Sequence, residues 1–563
     1  MSLPDLPPII SGGKFDFSID RGGTFTDVFC IVPTSPPTPC VYKLLSEDPS
    51  NYKDAPTEGI RRFLSKYDTP STGVAYPRNS PIDTRSLRSI RMGTTVATNA
   101  LLERKGSRVL NLITAGFGDL LEIGNQSRPD IFDLSISKLG TLYSATIEVP
   151  ERVRLLPPSS PPPPGSAVHA AVTGERVCVL SPPPLDLLRP RLKAAYDAGF
   201  RSASVTFMHS FLFPDHEVSV GRLCEEVGFG HVSLSHQVQP MIKVVARGQT
   251  ATASAYLTPK IDEYLEGFRR GFDERLMENA SLSFMRSDGG LTGVSNFQGH
   301  QAILSGPAGG VVGYAKTSYR PRPSGPAPRP CIGFDMGGTS TDVSRYDGQL
   351  PIVFESTTAG VTIQTPQLDI NTVAAGGGSR LFVRPGSSGS PAMLAVGPES
   401  AGSEPGPVCY RKPGGLLAVT DANAVLGRVV PERFPSIFGP TEDQPLDVEG
   451  ARAAFSDLLK GSGASQLAGI SSPEELAYGF LKVANEAMCR PIRNLTQMKG
   501  YDITGHALSC FGGAGPQHAC AVACSLGMST VLVHRYGGVL SAYGLSLSDA
   551  VAEATEPANE VFL

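Results

Sequence analysis

Two stretches carry the residue types best suited to chemistry. Asp20 to Val28 reads DRGGTFTDV and Asp335 to Val343 reads DMGGTSTDV, identical at seven of nine positions. In each, Gly22-Gly23 or Gly337-Gly338 lets backbone N–H groups approach an anion with no Cβ in the way. Thr24 and Thr26, and in the second copy Thr339 and Thr341, lie two apart and so send hydroxyls to one side of a strand. Asp20 and Asp335 stand at the mouths of the turns, where a carboxylate can serve a metal directly or through water. The pattern describes a phosphate cradle beside a metal ligand. A lone Gly-Gly turn reads equally well as an ordinary hairpin. Two near-identical copies so far apart argue instead for duplicated lobes, each presenting a hairpin to a shared ligand.

The elements that must position these residues can be read around them. Phe15, Phe17 and Ile19 alternate with Asp16, Ser18 and Asp20, a strand pattern, and Cys331 to Phe334 supplies a similar run before the second copy. Late in the chain a strand, Leu508 to Phe511, runs into Gly512-Gly513-Ala514-Gly515 and then a helix from Gln517 to Leu526. In that geometry a nucleotide's base and ribose lie on bare backbone. Arg91 to Lys105 reads as a turn feeding a helix, capped by Thr94 or Thr95 and buried at Leu101 and Leu102. Its Gly93-Thr94-Thr95 either faces the ligand cleft or simply starts a helix packed on the sheet. After a strand at Val109 to Thr114, the polar loop Asn125 to Asp133 holds Arg128, a candidate bidentate partner for a substrate carboxylate.

Further along, Leu185 to Gly199 (helix), Ser202 to His209 (strand) and Asp215 to Gly228 (helix) alternate as an α/β unit. Val244 to Leu257 and Lys260 to Arg275 read as two helices on either side of Thr258-Pro259. Phe284 to Leu291 and Ser305 to Gly313 read as strand-to-glycine turns. Ala374 to Arg380 and Val396 to Tyr410 are too rich in Gly and Pro for regular elements, and Glu474 to Lys499 is a long helix. Leu155 to Ser166 is a solvated, proline-rich surface excursion. The expected organisation is an N-terminal lobe at 14–319 with an inserted α/β subdomain at about 140–240, and a proline-rich linker at 320–330. A C-terminal lobe at 331–550 and a tail at 551–563 follow.

Composition excludes some functions. A net charge of −4 over 563 residues offers no basic footprint for nucleic acid or an anionic membrane. The first residues, MSLPDLPPIISGG, lack a basic or apolar leader pattern, and no apolar run is long enough to span a bilayer, so a cytosolic location is expected. Ten cysteines without C-x-x-C spacing read as reduced, mostly buried thiols. His209, His216 and Glu217 do not form H-E-x-x-H, and neither a P-loop nor a G-x-S-x-G elbow occurs.

Two Gly-Gly-Thr hairpins plus one glycine-rich strand-to-helix turn make a different ATP site: the hairpins clamp the phosphates and the late turn holds adenosine. In pattern and order this resembles the actin, sugar-kinase and 70-kDa heat-shock superfamily. A closer resemblance, to the hydantoinase A/5-oxoprolinase family, rests on FDFSIDRGGTFTDVF (Phe15 to Phe29), GTTVATNALLERKG (Gly93 to Gly106) and SGPAGGVVG (Ser305 to Gly313). It rests also on GFDMGGTSTDVSRYDG (Gly333 to Gly348), GPESAGSEPGPVCY (Gly397 to Tyr410), TDANAVLGR (Thr420 to Arg428) and CFGGAGPQHAC (Cys510 to Cys520). The wording is most similar to the N-terminal half of eukaryotic-type ATP-hydrolysing 5-oxoprolinases.

That resemblance implies a two-lobed actin-like α/β ATPase fold and ATP-driven opening of 5-oxo-L-proline to L-glutamate, with Mg²⁺ and K⁺. It implies Asp20 and Asp335 at the metal, and Gly22, Gly23, Thr24, Thr26, Gly337, Gly338, Thr339 and Thr341 at the phosphates. Gly512, Gly513 and Gly515 would flank adenosine. In the family a hydantoinase B-like second half or subunit acts with this one. The expectation is therefore a chain that keeps the nucleotide site and either needs that partner or is a truncated gene product, in a homo-oligomer. The alternatives are an ATP-binding module without turnover, or a related enzyme acting on a hydantoin or carboxylating a ketone.

Overall fold

The computed structural model describes residues 3–78, 80–125, 140–319, 328–385, 392–434, 436–441, 443–461, 467 and 469–558. The first Gly-Gly turn joins strands Phe15–Arg21 and Phe25–Val32, and the second joins Cys331–Met336 and Thr341–Tyr346. Phe15, Phe17 and Ile19 are fully buried, as their alternation requires.

Each hairpin sits in its own sheet, and the two sheets repeat one local topology. In the first, Thr38–Leu45 pairs antiparallel on one side of the hairpin, and on the other lie the parallel strands Leu87–Thr94 and Ser281–Met285. In the second, Ile370–Val373 pairs antiparallel, and Ala507–Phe511 and Val531–Val533 lie parallel on the far side. The sequence repeat is thus a structural repeat, five strands deep. Each sheet has a separate apolar core, and a third, smaller core between them includes Ala308, Val311, Tyr314, Phe511, Leu540 and Leu545.

That shared core corrects the sequence reading of Ser305 to Gly313. The segment is the start of a helix, Ser305–Ser318, not a strand and turn. Its glycines present bare backbone to a second helix, Leu540–Leu547. A Cβ on Gly544 would collide with Gly309 O and lie 2.8 Å from Gly313 N. Helix Leu540–Leu547 also packs on the first sheet, so the end of the described chain returns across to the first lobe.

A second correction concerns Thr258-Pro259. One continuous helix, Val244–Arg269, runs through it. Pro259 has no N–H for the carbonyl four residues back, Ala255, and that carbonyl instead accepts from the Ser202 hydroxyl at 2.6 Å. A side chain from a neighbouring strand removes the reason for the break.

The inserted unit is built on a parallel sheet ordered His231–Leu234, Ser202–Thr206, Val109–Thr114, Tyr143–Val149, with a small antiparallel sheet, Arg152–Leu156, Arg176–Ser181 and Ala167–Ala170, beside it. It recruits Val109–Thr114, ahead of 140. Leu102 is also corrected: the helix Val96–Leu102 buries Leu101 but leaves Leu102 60% exposed. The Gly/Pro-rich stretches are partly regular, since Ser379–Arg384 pairs with Met393–Ser400. All ten cysteines are free; eight are buried, and Cys520 and Cys524 are exposed.

Candidate functional site

The two hairpin turns meet tip to tip across the space between the lobes. A Cβ on Gly338 would lie 2.6 Å from Thr24 Cβ, and one on Gly23 would lie 3.4 Å from Thr339 Oγ1. Behind the second turn, Gly377 N and Gly378 N donate to Gly337 O (2.9 Å) and Gly338 O (2.6 Å). The loop that looked irregular in sequence is the buttress of this turn. Around the tips opens a cavity of about 1050 Å³, lined by Asp20, Gly22, Gly23, Thr24, Asp335, Gly337, Gly338, Thr339, Gly512 and Gly513.

Three predicted contacts are not on that wall. The Thr26 hydroxyl bonds to Ser46 Oγ at 3.0 Å, and Ser46 donates to Gly22 O at 2.6 Å, so Thr26 braces the turn from behind. Thr341 Oγ1 donates to Ala375 O at 2.5 Å and is likewise buried. On each strand the threonine two residues on is held inward by a neighbouring loop. Gly515 opens the helix Gly515–Leu526 packed on Cys510, whose Sγ a Cβ would meet at 2.9 Å. Arg128 lies outside the described residues.

The structure adds residues that the motif reading passed over. In the hairpin register Asp20 stands opposite Asp27, and Asp335 opposite Asp342. All four carboxylates line the cavity, together with Lys43, which pairs with Asp27 and lies 5.1 Å from the Phe25 ring centre. The signal was present as the second Asp of each repeat, but only strand pairing brings it to the first.

Burial of like charges sets the electrostatics. Asp20 is pushed well above the usual carboxylate range by desolvation and then by the charges of Asp27 and Asp335. Asp335 is pushed up to about 8 by burial, then by Asp342 and Asp27, against a hydrogen bond from Ser541. Asp342 rises to about 6 through burial, offset by the Thr372 hydroxyl. Asp27 is raised by burial and held back by Lys43. Asp20 Oδ1 and Thr24 Oγ1 are buried without a hydrogen-bond partner.

Such a site favours a divalent cation. Among the described residues no group of three or more His, Cys, Asp or Glu side chains is placed to hold a metal alone. Mg²⁺, which keeps waters and shares one or two carboxylates with substrate phosphates, suits this donor set. The glycine turn at the other end is built tightly against the same carboxylates. Gly512 has φ +80°, and a Cβ there would collide with Asp335 Oδ1 and lie 2.5 Å from Met336 O. Beyond it, Tyr536, Gly538 and Val539 continue the wall. His518, in the first turn of helix Gly515–Leu526, is structural: its Nδ1 bonds to Asn485 Oδ1 at 2.7 Å and its Nε2 to Asn423 Nδ2 at 2.9 Å, and burial lowers it to about 3.

No helix among the described residues is long and apolar enough to cross a membrane. Compared with known proteins, residues 247–554 match the hydantoinase/oxoprolinase family and residues 16–228 match its N-terminal region. The chain is 55% identical to 5-oxoprolinase 1 of Arabidopsis thaliana, over 98% of this chain and 42% of that protein. It is 50% identical to 5-oxoprolinase of Dictyostelium discoideum, over 97% of this chain and 43% of that one. It therefore spans less than half the length of these curated relatives. Among solved structures, the ATP-dependent caprolactamase of Pseudomonas jessenii superposes with a TM-score of 0.67 and 26% identity, over 95% of this chain and 71% of that chain. The two-lobed actin-like arrangement expected from the sequence agrees with this. The paired hairpins, the glycine turn and these matches together make the chain a member of the hydantoinase/oxoprolinase family.

Proposed function

We propose that this chain is the nucleotide-binding, hydantoinase A-like part of an ATP-driven 5-oxoprolinase, opening 5-oxo-L-proline to L-glutamate. The observation that carries the reading is the meeting of two Gly-Gly-Thr hairpins over four partly buried carboxylates, in a chain half or more identical to proteins named 5-oxoprolinase.

An unstrained lactam is a poor electrophile, and phosphorylating its carbonyl oxygen makes the ring carbon attackable. The carbonyl oxygen attacks the γ-phosphorus and ADP leaves. Water adds to the ring carbon, the C–N bond breaks as the nitrogen takes up a proton, and a second water frees phosphate from the resulting acyl phosphate. Catalysis then consists of positioning and charge stabilisation. Mg²⁺, when bound, neutralises charge on the β- and γ-phosphates, with K⁺ as accompanying monovalent ion.

The residues divide the task. Asp20 and Asp335 hold Mg²⁺ directly or through water, Asp27 and Asp342 stand across the hairpins from them, and Lys43 balances the charge. Backbone N–H groups at Gly22, Gly23, Gly337 and Gly338, with the Thr24 and Thr339 hydroxyls, grip phosphate oxygens. Gly512 and Gly513 flank adenosine. Thr26, Thr341 and Gly515 support the frame.

The test is 5-oxoproline-dependent phosphate release, by the chain alone and with a hydantoinase B-like partner supplied. Stimulation in either case supports the proposal, and none in both refutes it. Since the chain spans under half of its relatives, a second reading is a nucleotide-binding part that closes on ATP without turnover. Nucleotide binding without stimulated release would favour that one.

A further inference from the structure

Between Thr341–Tyr346 and Ile370–Val373, neighbouring strands of the second sheet, the chain leaves its own lobe and crosses to the other. The crossing carries a small hairpin in which Ser356–Thr358 pairs antiparallel with Val361–Ile363. Among the described residues, Val361 and Ile363 are the buried side chains that the second lobe contributes to the first lobe's core, and Ala359 packs against that core. Backbone bonds fasten the crossing. Gln364 N donates to Thr250 Oγ1 of helix Val244–Arg269 at 2.9 Å, the Arg104 guanidinium donates to Ala359 O at 3.0 Å, and Leu368 N donates to Ser287 O at 2.9 Å. All three partners belong to the first lobe. Residues next to the Arg104 contact line the cavity, Leu102 and Glu103 from the first lobe and Ser356, Thr357, Thr358 and Ala359 from the second.

The hairpin is built as a part that can let go. Its strands of three residues are too short to hold together alone, because an isolated two-stranded hairpin is marginal in water. What it docks on keeps it ordered, and small units of this kind open locally, below the free energy of global unfolding. The docked state is also strained where it meets the first lobe. Ala359 has φ +51° and Arg104 has φ +54°, in the left-handed region that residues with a Cβ rarely adopt. Arg104 Nη1 is in addition buried without a hydrogen-bond partner. Strain of this sort collects at clamps and switches. Since the turns of the two lobes meet at Gly338 and Thr24, widening the cleft means separating the lobes, and the crossing opposes that separation.

We infer that residues 347–369 form a strap that holds the two lobes together over the cavity, and that its hairpin, 356–363, undocks as a unit when the lobes part. Release of a bound nucleotide is then governed by undocking. The strap adds a conformational step to the function proposed above and rests on that reading only for the identity of the ligand.

Hydrogen exchange on the full, ligand-free chain measures undocking directly. Amides at 356–364 should exchange roughly a hundredfold faster than those of Phe15–Arg21 and Cys331–Met336, and should slow when Mg²⁺ and ADP are added. Stopped-flow chase of a fluorescent ADP analogue reads release. Arg104→Ala, at a partly exposed residue outside the nucleotide contacts, removes the bond to Ala359 O and should speed release about fivefold. Ile363→Ala, which empties a side chain 1% exposed, should speed it roughly tenfold or more, with its melting temperature measured alongside. Strap amides that exchange only together with the core strands, or release unchanged in both variants, would overturn the inference. A chain that binds no nucleotide refutes the proposed function instead, and exchange in the ligand-free chain still decides whether the strap undocks.

Discussion

Asp335→Asn should make the ligand-free protein more stable while abolishing its response to Mg²⁺ and nucleotide. Asp335 has an ordinary value of 3.8 and is pushed to about 8 in the fold, chiefly by burial and then by Asp342 and Asp27. Its folded value is raised, so the stability it contributes is complete below pH 3.8 and is lost progressively as pH rises to about 8. At pH 7 the folded state must hold a proton that the unfolded chain has released, a difference of roughly three pH units, or about 4 kcal/mol. Asparagine has nearly the same shape and carries no such cost, and its oxygen can still accept the hydrogen bond from Ser541, 3.4 Å from Asp335 Oδ2. The variant should therefore exceed wild type by up to about 4 kcal/mol at pH 7, with the gap closing toward pH 4. Thermal melts from pH 4 to 9 in a chelator, repeated with Mg²⁺ and ADP, measure both effects. Adding the ligands should raise the wild-type midpoint and leave the variant's in place. A variant less stable than wild type at pH 8, or a gap that does not change with pH, would refute the view of Asp335 as a buried charge held for a cation.

Three more outcomes follow from single contacts. Gly338→Ala forces its new methyl onto Thr24, an overpacking worth about 1–3 kcal/mol, so a fluorescent ADP analogue should bind roughly 5- to 150-fold more weakly. Ser202→Ala leaves the Ala255 carbonyl unpaired beside Pro259 and should cost about 1–3 kcal/mol in urea unfolding, with nucleotide affinity unchanged. His518, lowered to about 3 by burial, is neutral in the fold, so its contribution is complete above about pH 6.5 and is lost as pH falls, at about 1.4 kcal/mol per unit; His518→Gln should flatten that acid limb in pH-dependent melts.

Much of the site was legible because it is local. Alternation placed Phe15, Phe17 and Ile19 inside, and Gly-Gly placed the turns, so the hairpins and the faces of Gly22, Gly23, Thr24 and Thr339 could be read directly. What local pattern cannot supply is pairing. Asp27 and Asp342 were visible letters, but their place opposite Asp20 and Asp335 depends on register, and Lys43 arrives from a third strand. Thr26 and Thr341 share the favourable spacing and are nevertheless taken up by Ser46 and Ala375. Pro259 and the glycines of Ser305–Ser318 misled for the opposite reason. Their local preferences are against helix, and a distant partner, Ser202 in one case and Gly544 in the other, overrides them.

The duplication extends beyond the hairpins themselves. In each lobe a parallel strand runs beside the first strand of the hairpin and leads into a helix: Leu87–Thr94 through Thr95 into Val96–Leu102 in the first, Ala507–Phe511 through the Gly512 turn into Gly515–Leu526 in the second. A glycine on each path abuts the hairpin aspartate of its own lobe, Gly93 within its strand against Asp20 and Gly512 in its turn against Asp335. The two strand-to-helix connections are therefore equivalent by topology and differ in length and in the side chains they bring to the cavity. The second lobe brings Gly512, Gly513 and, beyond them, Tyr536 to the cavity wall; the first brings Thr95, Thr98 and Asn99.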